Sequence, residues 1–169
     1  MSELKKIDVT HFVGNPFTMF DKGWAEICAA KADGSVNAMT ASWGAAGTIW
    51  NKPTATVYIR QTRFTKEFID EAGCFSVNFL NPKNFRETQQ YLGKVSGRDE
   101  DKIAKSGLNI IKENGLPYFA ESSFVLLCKT MCRQDIALDS INDDIVKLWY
   151  DNDSIHTMYI AEITGIMIR

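Results

Sequence analysis

The sequence predicts a mainly β fold, a barrel with peripheral helices, and three observations carry that expectation. Six segments have strand composition or strand alternation. The helical stretches are few and short, and they do not alternate strictly with the strands. No Gly-x-Gly-x-x-Gly follows a strand, which disfavours a doubly wound dinucleotide-binding sheet.

The elements read in order as follows. Trp24 to Lys31 is a strand, and Asp33-Gly34 is a hairpin turn signal that sends Ser35 to Ser42 back as its partner. Thr54 to Arg60 is rich in β-branched and aromatic residues. Cys74 to Leu80 alternates apolar and polar, as a half-buried strand does. Phe124 to Arg133 and His156 to Arg169 complete the set. Thr65 can cap a helix running to about Glu71, with Phe68 and Ile69 on its inner face. Asn81-Pro82 suits an N-cap followed by proline at the first helical position, and that helix runs to about Leu92. A third helix is expected near Asp99 to Ser106, capped by Arg98-Asp99 or Ser96.

Composition narrows the function classes. The chain has 169 residues, the size of one domain spanning residues 1–169, with 45% apolar and 24% charged residues. A core of that size holds without a disulfide or a metal. A net charge of -2 argues against general nucleic-acid binding, which favours a basic face. No apolar run approaches the roughly 20 residues that span a bilayer. Met1 to Lys6 carries charge with no apolar stretch behind it, unlike a signal peptide, so a cytoplasmic protein is expected. Cys28, Cys74, Cys128 and Cys132 lack the spacing and the histidine partners of a zinc site and read as reduced thiols. With only His11 and His156, a histidine-rich metal site is impossible. The acidic stretch Asp139 to Asp153 reads as a solvated loop. No Walker loop, H-E-x-x-H or G-x-S-x-G is present.

Two segments have the residue types of a binding site. Asn37 to Gly44 ends a strand and enters a Gly/Ala-rich turn, Gly44-Ala45-Ala46-Gly47. It clusters an amide, two hydroxyls and an indole among small residues that let a flat ligand approach the backbone. An ordinary strand end before a flexible loop has the same composition. Arg60-Gln61-Thr62-Arg63-Phe64-Thr65 puts two arginines before a helix, whose first turn offers unpaired N–H groups and partial positive charge. That suits a phosphate. A simple threonine cap with solvated arginines is the alternative.

Taken together, Asn37-x-Met39-Thr40-x-Ser42-Trp43, then Arg60-x-x-Arg63-x-Thr65 before a short helix, then Phe75-Ser76-Val77-Asn78-Phe79-Leu80, resemble the flavin reductase-like family of FMN-binding split barrels. The flavoredoxin-like branch is the nearest match. Ser96-Gly97-Arg98-Asp99 with Asp101-Lys102, and His156 to Ile163, extend the resemblance over about residues 15–169. The resemblance implies a homodimer with FMN near the subunit interface. It implies Asn37, Met39, Thr40, Ala41, Ser42 and Trp43 along the isoalloxazine and ribityl group, and Arg60, Arg63 and Thr65 on the phosphate. It puts Asn78 near the flavin. Ser96 to Lys102, with Arg98 among them, either cover the site or come from the neighbouring subunit.

The expected activity is FMN-dependent oxidoreduction, with hydride passing from NADH or NADPH to flavin N5. That chemistry belongs to the cofactor, so no catalytic acid or base is assigned. The alternatives are a non-enzymatic electron carrier serving a redox protein partner and a sensory or storage flavin module. His156 could meet a nicotinamide or a reduced flavin, or be a strand-start histidine bonded to a carboxylate such as Asp153. Trp149-Tyr150 and Tyr118-Phe119 are candidates for core or interface burial.

Overall fold

A computed structural model describes residues 3–169. Among the described residues ten strands form: β1 (Lys5–Ile7), β2 (Ala25–Ala30), β3 (Val36–Ala41), β4 (Gly44–Ile49), β5 (Lys52–Arg60), β6 (Cys74–Phe79), β7 (Ile110–Glu113), β8 (Leu116–Phe119), β9 (Phe124–Asp135) and β10 (His156–Ile168). The α-helices are α1 (Pro16–Thr18), α2 (Phe64–Ala72), α3 (Pro82–Lys94), α4 (Lys102–Ser106) and α5 (Asp143–Trp149). The main sheet runs β3-β2-β6-β9-β10-β5-β4, all antiparallel, with β1 beside β10; β7 and β8 form a separate hairpin. This is the mainly β architecture with peripheral helices that the sequence predicts. No helix among the described residues is long and apolar enough to cross a membrane.

The strand order explains the curvature. Its two outer strands, β3 and β4, are consecutive in the chain and joined only by Ser42 and Trp43. A trans chain advances about 3.8 Å per residue, so the linker cannot bridge a flat seven-strand sheet. The sheet must curl until its edges meet at that pair. Residues alternating along the strands then fill the interior: Ala25, Ile27 and Ala29 of β2, Val57 and Ile59 of β5, Phe75 and Val77 of β6, and Tyr159 of β10. Phe68 and Ile69 of α2 join this cluster, as their helical spacing requires. The opposite face of β2 contributes Cys28 to a second cluster with Leu92 of α3, Leu108 and Phe119.

The same outer face of β2 buries Glu26 completely. Neither carboxyl oxygen has a hydrogen-bond partner. Burial pushes its pKa up to about 8, although Gln89 and Arg86 favour the ionised form.

Several local readings are corrected. Thr65 is inside α2 rather than its cap, since Arg63 takes the N-cap position. The short third helix starts at Lys102 with Asp101 as its cap, not at Asp99. Gly44 to Gly47 is not a turn but part of β4, paired residue for residue with β5. Trp50 and Asn51, both with positive φ, make the two-residue hairpin turn, and a tryptophan there hides the usual signal. The stretch from Asp139 is no simple loop. Asn142 accepts from the Asp144 amide, and Asp143 and Asp144 occupy the first turn of α5, where carboxylates favour the helix dipole.

Candidate functional site

Two adjoining chambers open where β3, β5 and α2 converge with the end of α3 and the start of β10. The first, about 210 Å³, is lined by Arg60, Arg63, Thr65, Ser96 and Lys102, together with Met39, Thr62, Phe64, Lys94, Val95, Gly97 and Asp153. The second, about 230 Å³, is lined by Met39, Thr40, Ala41, Ser42, Trp43, Tyr58, Arg60, Arg63, Trp149 and His156. Met39, Arg60 and Arg63 belong to both.

The first chamber gathers positive charge. Arg63 stands at the N-cap of α2 without a side-chain cap bond, so the first-turn amides are left for another acceptor. Its Nη1 donates to Gly93 O at 2.7 Å, which ties the guanidinium to the last turn of α3. Lys102 Nζ donates to Leu92 O at 3.0 Å and Val95 O at 2.9 Å, a cation on the carbonyl end of α3. Burial, and then the neighbouring Arg63 charge, push its pKa down to about 8. Lys94 completes a set of four cations around one carboxylate, Asp153.

The second chamber has an aromatic wall. The Trp43 ring centroid is 4.9 Å from that of Trp149, edge to face, and 4.9 Å from that of His156. Thr40 Oγ1 donates to Gln89 O at 2.6 Å, so this hydroxyl is engaged with α3. The partner of His156 is not Asp153: Nδ1 lies 3.0 Å from the Tyr150 hydroxyl, and Asp153 pairs with Arg60 instead. Burial, with Arg60 beside it, pushes the His156 pKa down to about 4, so the ring is neutral near pH 7.

Ten of the thirteen sequence-predicted site residues therefore converge on one cleft, and three do not line it. Asn37 stands one layer behind, its Nδ2 donating to Thr65 Oγ1 at 2.9 Å. Asn78 is fully buried in the sheet. Its Nδ2 donates to Glu26 O at 2.9 Å, and its Oδ1 accepts from the Phe119 amide at 2.8 Å. That amide knits β2, β6 and β8 together. Arg98 turns outward, donating to Glu67 Oε1 at 2.5 Å and lying 4.6 Å from the centre of the Phe64 ring.

Sequence reasoning missed Tyr58, Lys94 and Trp149. Tyr58 was within reach, because it precedes Arg60 by two on one strand and so shares its face. Trp149 was not, because α5 itself was missed.

Comparisons with known proteins agree with this fold. Residues 20–169 match the flavin reductase like domain. The FMN-binding domain of a flavin reductases-like enzyme from Shewanella baltica superposes with a TM-score of 0.69 at 22% identity, over 99% of this chain and 79% of that one. Flavoredoxin of Desulfovibrio vulgaris gives 0.69 at 22% identity, over 98% and 76%. An uncharacterized protein of Aeropyrum pernix is 33% identical over 100 residues, which is 57% of this chain and only 37% of that relative's length. With the match running through every strand from β2 onward, the chain belongs to the flavin reductase like domain family.

Proposed function

We propose that this chain holds FMN in the two-chambered cleft and passes electrons from NADH or NADPH through it. The observation that carries the reading is the pairing of a four-cation chamber with an aromatic one across Met39. FMN needs that pairing, because its phosphate bears close to two negative charges and its ring is flat and largely apolar. Arg60, Arg63, Lys94, Lys102 and the first-turn amides of α2 bind the phosphate. Charge-assisted bonds of that kind are about twice as strong as neutral ones. Trp43, Tyr58 and His156 flank the ring and exclude water. Ser42 and the β3 backbone lie along its polar edge.

When bound, FMN supplies the hydride-accepting N5. The residues' task is to hold the ring against a nicotinamide at about 3–3.5 Å. No side chain is assigned as acid or base, and the neutral His156 serves as a wall.

We further propose a homodimer. Val13, Phe17, Trp50, Ile145, Leu148 and Trp149 are exposed apolar side chains. Phe17 and Ile145 line an apolar groove of about 550 Å³ that shares Ser42, Trp43 and Tyr58 with the ring chamber.

A carrier that exchanges electrons with a protein partner is the second reading, favoured by the likeness to flavoredoxin. Anaerobic stopped-flow mixing of the yellow, as-purified protein with each nicotinamide tests both. Fast bleaching with turnover supports the reductase. Bleaching only by protein donors supports the carrier, and a colourless protein that takes up no FMN removes both.

A further inference from the structure

Arg60 makes the most contacts to the segment from Trp149 to Ser154, which is also held by Thr62 Oγ1, 3.3 Å from Ser154 Oγ, and by the Tyr150 hydroxyl, 3.0 Å from His156 Nδ1. Arg60 Nη1 donates to Ser154 O at 2.7 Å, and Nη2 donates to Trp149 O at 3.2 Å. Nη1 also pairs with Asp153 Oδ2 at 3.1 Å. The Arg60 guanidinium carbon lies 5.7 Å from the centre of the Tyr150 ring. Both members of the ion pair line the anion chamber. Trp149, at the other end of the segment, lines the ring chamber and packs edge-on against Trp43. One guanidinium thus reaches both chambers and holds part of the ring chamber's wall.

Asp153 is the one carboxylate among the residues lining the anion chamber. A phosphate monoester entering there brings roughly two negative charges. It competes with Asp153 for Arg60 and repels it. The contest is unequal: the Asp153 side chain is 53% exposed, so its hold is screened by water and it can swing outward. A phosphate presents three oxygens to the five N–H groups of the guanidinium.

We propose that Asp153 is a placeholder for the ligand's phosphate. A phosphate monoester takes Arg60 from Asp153 and unfastens residues 149–154, so Trp149 yields the ring chamber to a phosphorylated ligand. Asp153 is thereby a specificity-determining residue that favours FMN over riboflavin by gating the ring chamber. The inference rests on the FMN reading of the cleft.

The test uses flavin-free full-length protein and Asp153→Asn, which keeps an acceptor for the Ser154 amide. Hydrogen exchange is followed at the amides of residues 149–154, alone and with millimolar inorganic phosphate; FMN and riboflavin affinities are then measured. In the unaltered protein, phosphate accelerates exchange in this segment. Asp153→Asn loses the ion pair and keeps the two Arg60 carbonyl bonds, so its resting exchange is faster, phosphate adds a smaller increment than in the unaltered protein, and riboflavin binds about fivefold more tightly, because part of the opening no longer has to be won. If Asp153 acted through charge alone, Asp153→Asn would tighten FMN while leaving riboflavin and segment exchange unchanged, and that result overturns the proposal. So does unaltered protein whose segment ignores phosphate. Protein that binds neither flavin, yet loosens with phosphate, refutes the FMN reading and supports the exchange of partners at Arg60.

Discussion

Arg63 reaches both chambers and stands at the mouth of α2, so its removal costs more than a surface arginine would. Arg63→Ala is expected to weaken FMN binding roughly 30- to 100-fold, the loss of one charge-assisted bond of about 2–3 kcal/mol, read by fluorescence titration. Glu26 makes the opposite kind of prediction, about stability. Its folded pKa of about 8 lies above the ordinary value of 4.5, so between these pH values the folded chain holds a proton that the unfolded chain has lost. Stability is therefore greatest below the unfolded pKa and falls as pH rises toward 8. Glu26→Gln should flatten that fall and stabilise the protein at pH 8 by up to about 4 kcal/mol, measured by denaturant unfolding across pH. His156, neutral above about pH 5, should put no inflection into the rate of nicotinamide-driven reduction between roughly pH 5.5 and 8; His156→Asn should give a parallel profile. Arginines before a helix were legible from chemistry alone. Asn37 and Asn78 were not, because an amide serves a ligand or a lattice of strands equally well, and only the neighbours brought in by folding decide which.

Among the elements, the turn at residues 96–98 closes one side of the anion chamber through a close approach. A Cβ on Gly97 would collide with Asn37 Oδ1 and crowd the Phe64 ring. Asn37 is buried and bonded to Thr65, so it has little room to retreat. Gly97→Ala is expected to push the turn outward and weaken FMN binding several-fold with little loss of melting temperature, since the turn is not part of the core. Strands with β-branched alternation were legible throughout. The β4–β5 turn was hidden by Trp50, whose left-handed backbone its residue type disfavours. The β7–β8 hairpin did carry its mark, Asn114-Gly115 with both φ positive, and went unread. The acids around α5 suggested a solvated stretch, yet two of them favour the start of that helix. Ile145, Leu148 and Trp149 share one face of α5 and stay partly exposed, which fits the proposed dimer.

At the scale of the whole molecule, the proposed dimer gives the next measurement. Sedimentation should show twice the 19.0 kDa chain mass, and Phe17→Asp, at a side chain 85% exposed, should shift it to the monomer without unfolding it. An unchanged mass in that variant would place the contact elsewhere. The barrel class was legible because it follows from many strands and few helices. The closing point was not, because no local pattern reveals that β3 and β4 occupy opposite margins of the sheet. That arrangement makes Ser42 and Trp43 a hinge pin as much as part of the proposed FMN cleft. Inserting a Gly-Gly spacer between them would let the two margins drift apart and unseat the indole in the same movement. Cofactor retention and barrel integrity should then fail together on heating, as one melting event rather than two.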